Sequence, residues 1–350
     1  MRKLLLILLA AAILLTIGGC AKTEPPAVPD TREITDRAGR EVSVPAVVGK
    51  GMGINAMGVY MLYTMEPGTL IGVSYEFNEA ELAYILPEYR NLTAYGQNTG
   101  LNLEALVAAA PDVLISYGSL TDAEIADIEA LQTQTGIPCI MLSASMSEIP
   151  AAYRLLGEVF DKQARCEELA GYAQRALDFA ANLDVPEPPV TVYYGNGAEN
   201  LETAPTGSPG AELFKIVGAE NVVLIMDDIS ARVTISPEHL LTWDPQVVIL
   251  NGEPKENISP SDAVDAFLSD LRYADLQAVQ SGKVYAIPKY PYSWFDRPNG
   301  PNRLIGIYWL SDLLYSEQAG IDIKKETRAF YSLFYHMELT DVQLTELLRF

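Results

Sequence analysis

The chain has 350 residues, 49% of them hydrophobic, and a formal net charge of −22 at neutral pH. The apolar content excludes a disordered polymer. The acidity excludes a nucleic-acid binder, which needs clustered Lys and Arg, and a surface lying flat on anionic lipid.

Arg2 and Lys3 lead an apolar run from Leu4 to Ile17, closed by Gly18, Gly19 and Cys20. The run is short for a membrane span and reads as a secretory signal over residues 1–19. The small residues before Cys20 resemble a bacterial lipobox, which makes Cys20 the expected lipidation site. Residues 20–33 end in the proline-rich AKTEPPAVPDTRE and read as a tether. The remaining 330 or so residues suffice for two lobes of ordinary size.

The first lobe is expected over 34–145. ITDRAGREVSVP reads as a hairpin, followed by a strand at Val47–Gly49, a helix at Ala56–Tyr63 and a strand at Leu70–Ser74. NLEALVAAAPDVLIS, from Asn102 to Ser116, packs a polar cap, a short helix, a proline stop and a buried strand into one unit. Thr121 caps a helix running to about Thr135, and Ile137–Leu142 is the next strand. Residues 146–184 have helical periodicity without a strand signal and predict one long inter-lobe helix, stopped by DVPEPP.

The second lobe, 185–350, repeats the alternation. A strand at Val190–Tyr194 and a helix at Gly210–Val217 lead to SPEHLLTWDPQVVIL, which begins at Ser236 and matches the earlier unit in register, 134 residues on. A helix at Ser261–Asp270, a strand at Lys283–Ile287 and helices at Asn302–Leu314, Lys324–Tyr335 and Thr340–Leu348 follow. The predicted fold is α/β: two Rossmann-like lobes with central, mainly parallel sheets, joined by the long helix, with a ligand cleft at the strand ends between them. A stiff helix across the back implies a largely pre-formed cleft.

Enzyme signatures are missing. There is no HExxH, GxSxG or P-loop, and Gly51-Met52-Gly53 lacks the third glycine of a dinucleotide site, with Ala56 in its place. The two histidines, His239 and His336, read as surface or packing residues. So few imidazoles and thiolates argue against capture of a bare transition metal. Cys139 and Cys166 read as unpaired thiols, with a disulfide left open. What the strand-end loops do carry is aromatic rings and arginines: Met52, Tyr75 and Tyr117 from the first lobe, and Tyr194 and Arg232 from the second. The densest stretch is YPYSWFDRPNGP, whose Tyr292, Trp294, Phe295 and Arg297 offer flat apolar faces and a planar cationic fork to a bulky acidic ligand.

TDRAGREVSVP, TLIGVS, LNLEALVAAAPDVLIS, TGIPCIML, GAENVVL, ISPEHLLTWDPQVVIL, SGKVYAIP and FYSLFYHMELTD, in that order and spacing, resemble the substrate-binding lipoproteins of bacterial ABC importers for iron-siderophores, haem and vitamin B12. The resemblance implies a non-enzymatic, monomeric, extracytoplasmic protein, held to the cell membrane by lipid, without a cofactor. It would capture a metal chelate, a ferric siderophore first and a corrinoid or haem otherwise, with the metal held inside the chelate. It would deliver that cargo to a permease dimer with its ATPase subunits. Outside this class stands an enzyme or a sensory lipoprotein on the same scaffold. The resemblance also gives the repeated glutamates, Glu104 and Glu238, a role: one carboxylate per lobe docks the permease. The structural alternative is an anion stabilising a helix N-terminus.

Overall fold

The computed structural model describes residues 30–224, 232–253, 256–296 and 298–348. The signal segment with Cys20, most of the tether, and Arg297 lie outside the described residues.

β1 (Thr31–Thr35) and β2 (Glu41–Pro45) form the antiparallel hairpin. Its turn is organised by Asp36, whose carboxylate accepts from the backbone N–H of Ala38 and of Arg40 and pairs with the Arg40 guanidinium at 2.6 Å. The same carboxylate accepts from Met141 N–H at 3.1 Å, which ties the hairpin to the first sheet. The expected strand at Val47–Gly49 is displaced. Val47 is 76% exposed, and β3 runs over Gly51–Gly53. Asp112 holds the Gly49 and Lys50 N–H groups before the strand starts. Gly53 is required there, since a Cβ would sit 2.0 Å from Val59 N.

α1 (Ala56–Met65) is capped by Asn55 and buried nearly all round. Leu70–Ser74, expected as a strand, forms single bridges, Gly51 to Leu70 and Val73 to Ala94. The short α2 (Glu79–Leu82) has an Asn78–Glu81 capping box. Then come α3 (Leu103–Ala109), β4 (Val113–Gly118), α4 (Asp122–Thr135) and β5 (Cys139–Ser143), giving a parallel sheet of order β3-β4-β5.

The single inter-lobe helix is two helices. α5 (Ile149–Phe160) ends at Asp161 in the left-handed region (φ 53°), and α6 (Gln163–Ala181) starts two residues later. α6 folds back on α5 so closely that a Cβ on Gly157 would meet Cys166 Cβ at 2.9 Å. Cys166, Leu169, Ala170, Tyr172, Ala173, Ala176 and Ala180 make its buried stripe at helical spacing. Both Cys139 and Cys166 are buried and unpaired, and burial pushes each thiol up to about 12.

The second sheet has order β11-β10-β6-β8, all parallel, from β6 (Thr191–Gly195), β8 (Glu220–Asn221), β10 (Val247–Leu250) and β11 (Val284–Ala286). β7 (Glu202–Thr203) and β9 (Val233–Thr234) pair separately. The helices are α7 (Glu212–Ile216), α8 (Pro237–Trp243), α9 (Pro260–Ser269), α10 (Gln277–Gln280), α11 (Asn302–Ala319), α12 (Ile323–Tyr335) and α13 (Asp341–Leu347). The period-2 alternation of strands divides this lobe's core. Val192, Tyr194, Val247 and Ile249 join the core shared with the first lobe, whereas Tyr193, Val248 and Leu250 face a second cluster with Leu240 and Phe267.

The last two helices reach from the lobe that precedes them in sequence to the first lobe. Phe330, Tyr331, Phe334 and Tyr335 form the buried face of α12. That face packs on the first lobe, with Tyr335 5.6 Å from Tyr60 and Phe334 6.0 Å from Tyr153 between ring centroids. Tyr84 donates to the Gln343 carbonyl of α13. Residues 323–347 thus bridge the lobes, since α12 also meets the second lobe, where the Tyr335 hydroxyl donates to Asn302 at 2.7 Å. No helix among the described residues is long and apolar enough to cross a membrane.

Candidate functional site

Both sheets are parallel, so the carboxyl ends of their strands are where loops collect and ligands bind. A cavity of about 290 Å³ lies between the loops of the two lobes. The first lobe lines it with Tyr75, Asn78 and Glu81, the second with Asn257, Ile258, Ser259 and the run Lys289–Ser293 after β11.

Two opposite charges share this cavity, one from each lobe. Lys289 donates to the Asn251 carbonyl at 3.3 Å, and burial holds its ammonium below the usual lysine range, with Asp296 and Glu253 acting against that shift. Burial likewise raises the Glu81 carboxyl, against the stabilising Asn78 N–H and Lys289. Each charge is therefore under-compensated, the state in which an added ligand charge gains most.

A second polar cluster lies behind the cavity, around the buried Asp296. Arg232 donates to its carboxylate at 2.9 Å and approaches Glu202 at 4.0 Å. Asn251 donates to Asn196 at 2.9 Å nearby. A third cluster bridges the lobes at the start of α11. The guanidinium of Arg303, 1% exposed, donates to Glu212 at 2.5 Å and to the Ala144 carbonyl at 3.1 Å. Its Nε and the Tyr117 hydroxyl are both buried without a protein partner, a state that buried polar atoms rarely keep. Burial pushes the Tyr117 hydroxyl up to about 12, and Arg303 works against that.

Of the residues singled out in sequence, Tyr75 and Tyr292 line the cavity, while Tyr117 and Arg232 belong to the flanking clusters. Others are redirected into the core. Met52 is the centre of β3 and fully buried. Trp294 is fully buried with its indole N–H toward the Tyr331 hydroxyl. Phe295 packs between Tyr194 and Phe214, at 4.5 and 4.8 Å. Tyr292 does both jobs, its ring meeting Tyr60 at 5.3 Å and Phe77 at 6.1 Å in the first lobe. The aromatic run therefore serves mainly the core, with Trp294 and Phe295 packed inside it and Tyr292 joining the lobes. Glu104 and Glu238 lie outside the cavity, exposed in the first turns of α3 and α8.

Sequence reasoning missed Lys289, Glu81 and Arg303. Arg303 did leave a signal, a lone charge in the apolar run NRLIGIYWL that forms the buried first half of its helix. Lys289 stood directly before the aromatic run. Glu81 sits among other glutamates and had no distinguishing mark. No group of three or more metal-ligating side chains occurs among the described residues.

Residues 76–291 match the family described as periplasmic binding protein. The molybdate-binding protein MolA of Haemophilus influenzae is 24% identical over 333 residues, covering 87% of this chain and 91% of the relative. A vitamin B12-binding protein of Pectobacterium atrosepticum is 24% identical over 172 residues, 47% of this chain and 60% of the relative. Among solved structures, an ABC transporter solute binding protein from Sulfurospirillum deleyianum superposes with a TM-score of 0.79 at 27% identity, over 91% of this chain and 99% of that one.

Proposed function

The chain belongs to the periplasmic binding protein family, and from that premise we propose that it captures a metal-bearing ligand with acidic groups in the inter-lobe cleft. It is the substrate-binding component of an ABC transporter, a class located outside the cytoplasm that works with permease and ATPase partners. Its relatives are solute-binding proteins and not enzymes.

The observation that carries the ligand reading is the cavity itself. Both lobes line it, Lys289 supplies an under-compensated cation, and Tyr75, Ser259 and Tyr292 supply hydroxyls. Such a lining suits a metal chelate with acidic groups, a ferric siderophore before a corrinoid or haem. Tyr75, Tyr292 and Lys289 would meet the ligand directly, with Arg232, Arg303 and Tyr117 at the flanks; Arg297, which lies outside the described residues, is proposed as a partner for the ligand's acidic groups. Met52, Tyr194, Trp294 and Phe295 would support these contacts from the core. A second reading, a metal oxyanion, is favoured by the molybdate-binding relative that aligns over nearly the whole chain. The cavity volume favours it too, being at the small end for ligand sites.

Titration of the mature protein against ferric hydroxamate, ferric citrate, haem, cobalamin and molybdate, followed by tryptophan fluorescence, tests both. Saturation by a ferric chelate supports the first reading, and saturation by molybdate alone replaces it with the second. Binding of none overturns both. Affinity for an anion should rise as pH falls: below the lowered Lys289 pKa the ammonium is charged, and below the raised Glu81 pKa the opposing carboxylate is neutral. A flat profile of affinity against pH would move the anion away from this pair.

Two further assignments belong to the same reading. Cys20 carries the lipid anchor, so Cys20→Ala should release a folded protein from the membrane fraction. Glu104 and Glu238 dock the permease, and their placement supports this. Each helix turns back into its strand within a few residues, which puts its N-terminal turn at the carboxyl ends of the strands, on the side where the cleft opens. The double variant Glu104→Ala/Glu238→Ala should bind ligand normally yet fail to stimulate the transporter's ATPase. Wild-type stimulation would reduce both residues to helix-terminus anions.

A further inference from the structure

The two repeated units agree at more positions than a shared fold requires. Leu106 and Leu240 are both fully buried, as anchors of their helices must be. The next position is also apolar in both units, yet it faces solvent: Val107 is 46% exposed and Leu241 is 40% exposed. Seven large apolar side chains are exposed among the described residues, and these two occupy equivalent places in the two lobes. Core packing explains neither, because neither is in the core. Capping explains neither, because both lie beyond the first turn.

Their spacing connects them to the glutamates. Val107 follows Glu104 by three residues, and Leu241 follows Glu238 by three, so each pair lies on one face of its helix. Each lobe thus presents the same element, an exposed carboxylate with an exposed aliphatic group one turn further along. A surface that engages both must carry two matching sites in approximate two-fold relation, each with a cation beside a shallow apolar pocket. We infer that Val107 and Leu241 are docking residues, the apolar half of a paired contact with the importer's membrane-embedded partner. The inference rests on the reading that the glutamates dock that partner, and adds the group that makes each contact more than a screened surface ion pair.

The test uses the full-length protein and its cognate permease–ATPase complex in proteoliposomes, with ATPase stimulation measured against binding-protein concentration. Val107→Ser/Leu241→Ser should raise the half-maximal concentration at least tenfold, and the shift should persist at high salt, where ion pairs are screened. Thermal unfolding and ligand affinity should not move, since both side chains are exposed. Val107→Thr/Leu241→Thr, closer in shape, covers the case in which the serine variant is poorly folded. An unchanged half-maximal concentration overturns the inference. Glu104→Gln/Glu238→Gln, run in parallel, separates the two claims. If the glutamine variant fails while the serine variant docks normally, the glutamate reading stands and this inference falls. If both dock normally, both fall. Concentration-dependent self-association of the native protein that the serine variant abolishes would assign the patch to a second copy of the chain, and overturn the permease as its occupant.

Discussion

The helix–strand unit at 102–118 and its counterpart at 236–250 show the same design held together in two ways. Both helices have seven residues, both bury the leucine four positions after the cap, and both end on a residue in the left-handed region, Ala110 (φ 49°) and Asp244 (φ 42°). The differences lie at the ends. In the first lobe the Asn102 side chain caps the backbone N–H of Ala105 at 3.1 Å. In the second lobe Ser236 makes no such cap, a proline opens the helix, and the nearby serine hydroxyl holds the Glu238 carboxyl below its usual range. At the C-terminal ends, Ala110 has no side chain to use, while Asp244 accepts from Gln277 N–H at 2.7 Å and so tethers α10. What both lobes preserve through these changes is the exposed glutamate and the aliphatic residue beside it. Features kept while their supports change point to function outside the fold.

The largest expected effect breaks the comparison at its anchors. Leu106→Ala and Leu240→Ala should each cost about 2–5 kcal/mol, the range for truncating a buried leucine. The routes differ, because Leu106 belongs to the core shared by both lobes and Leu240 to the second-lobe cluster. Chemical denaturation should keep one transition for Leu106→Ala. For Leu240→Ala, early loss of amide protection should be confined to β10, α9 and their neighbours. Equal, global loss in both variants would mean that the two clusters unfold as one.

The caps come next. Asn102→Ala removes an observed cap bond and should cost about 1 kcal/mol, measured by the denaturation midpoint. At the other end, Ala110→Gly should raise stability by about 0.5–1 kcal/mol, since alanine is strained at positive φ and glycine is not. Asp244→Gly should give no such gain, because the relief is offset by the lost acceptor for Gln277. A matching gain at both sites would show that the aspartate tether contributes nothing.

These contrasts mark where the sequence was legible. Caps, proline stops, buried leucines and β-branched strands are local, and the repeated helix and strand read correctly in both units, whereas the expected cap bond forms at Asn102 and not at Ser236. The break between α5 and α6 has neither glycine nor proline, because Asp161 in the left-handed region does the work. The destination of α12 was hidden for another reason. An amphipathic helix advertises its apolar face but not which lobe will cover it. The cavity was the least legible part, since Glu81 and Lys289 come together only when the lobes do. Among the aromatic rings that read as a ligand wall, Tyr75 and Tyr292 line the cavity while Trp294 and Phe295 are core, and single residues carry no mark that separates the two uses.

The smallest expected effect tests whether the serine in the second unit serves the helix or the glutamate. Ser236→Ala removes a hydroxyl that makes no backbone cap, so the stability loss should be well below that of Asn102→Ala. Its effect should appear at Glu238 instead. The Ser236 hydroxyl is the first cause of that carboxyl's lowered pKa, followed by its own backbone N–H, so removing the hydroxyl should raise the pKa toward the ordinary glutamate value of about 4.3. The sign is fixed by linkage. A carboxylate with a depressed folded-state pKa contributes stability above its unfolded pKa and loses it as pH falls through the folded value. The difference between native and Ser236→Ala protein should therefore vanish in acid. Carboxyl-carbon NMR titration reads the shift directly. If the Glu238 pKa stays put and stability falls as far as for Asn102→Ala, the serine is an ordinary cap and the two units are held alike.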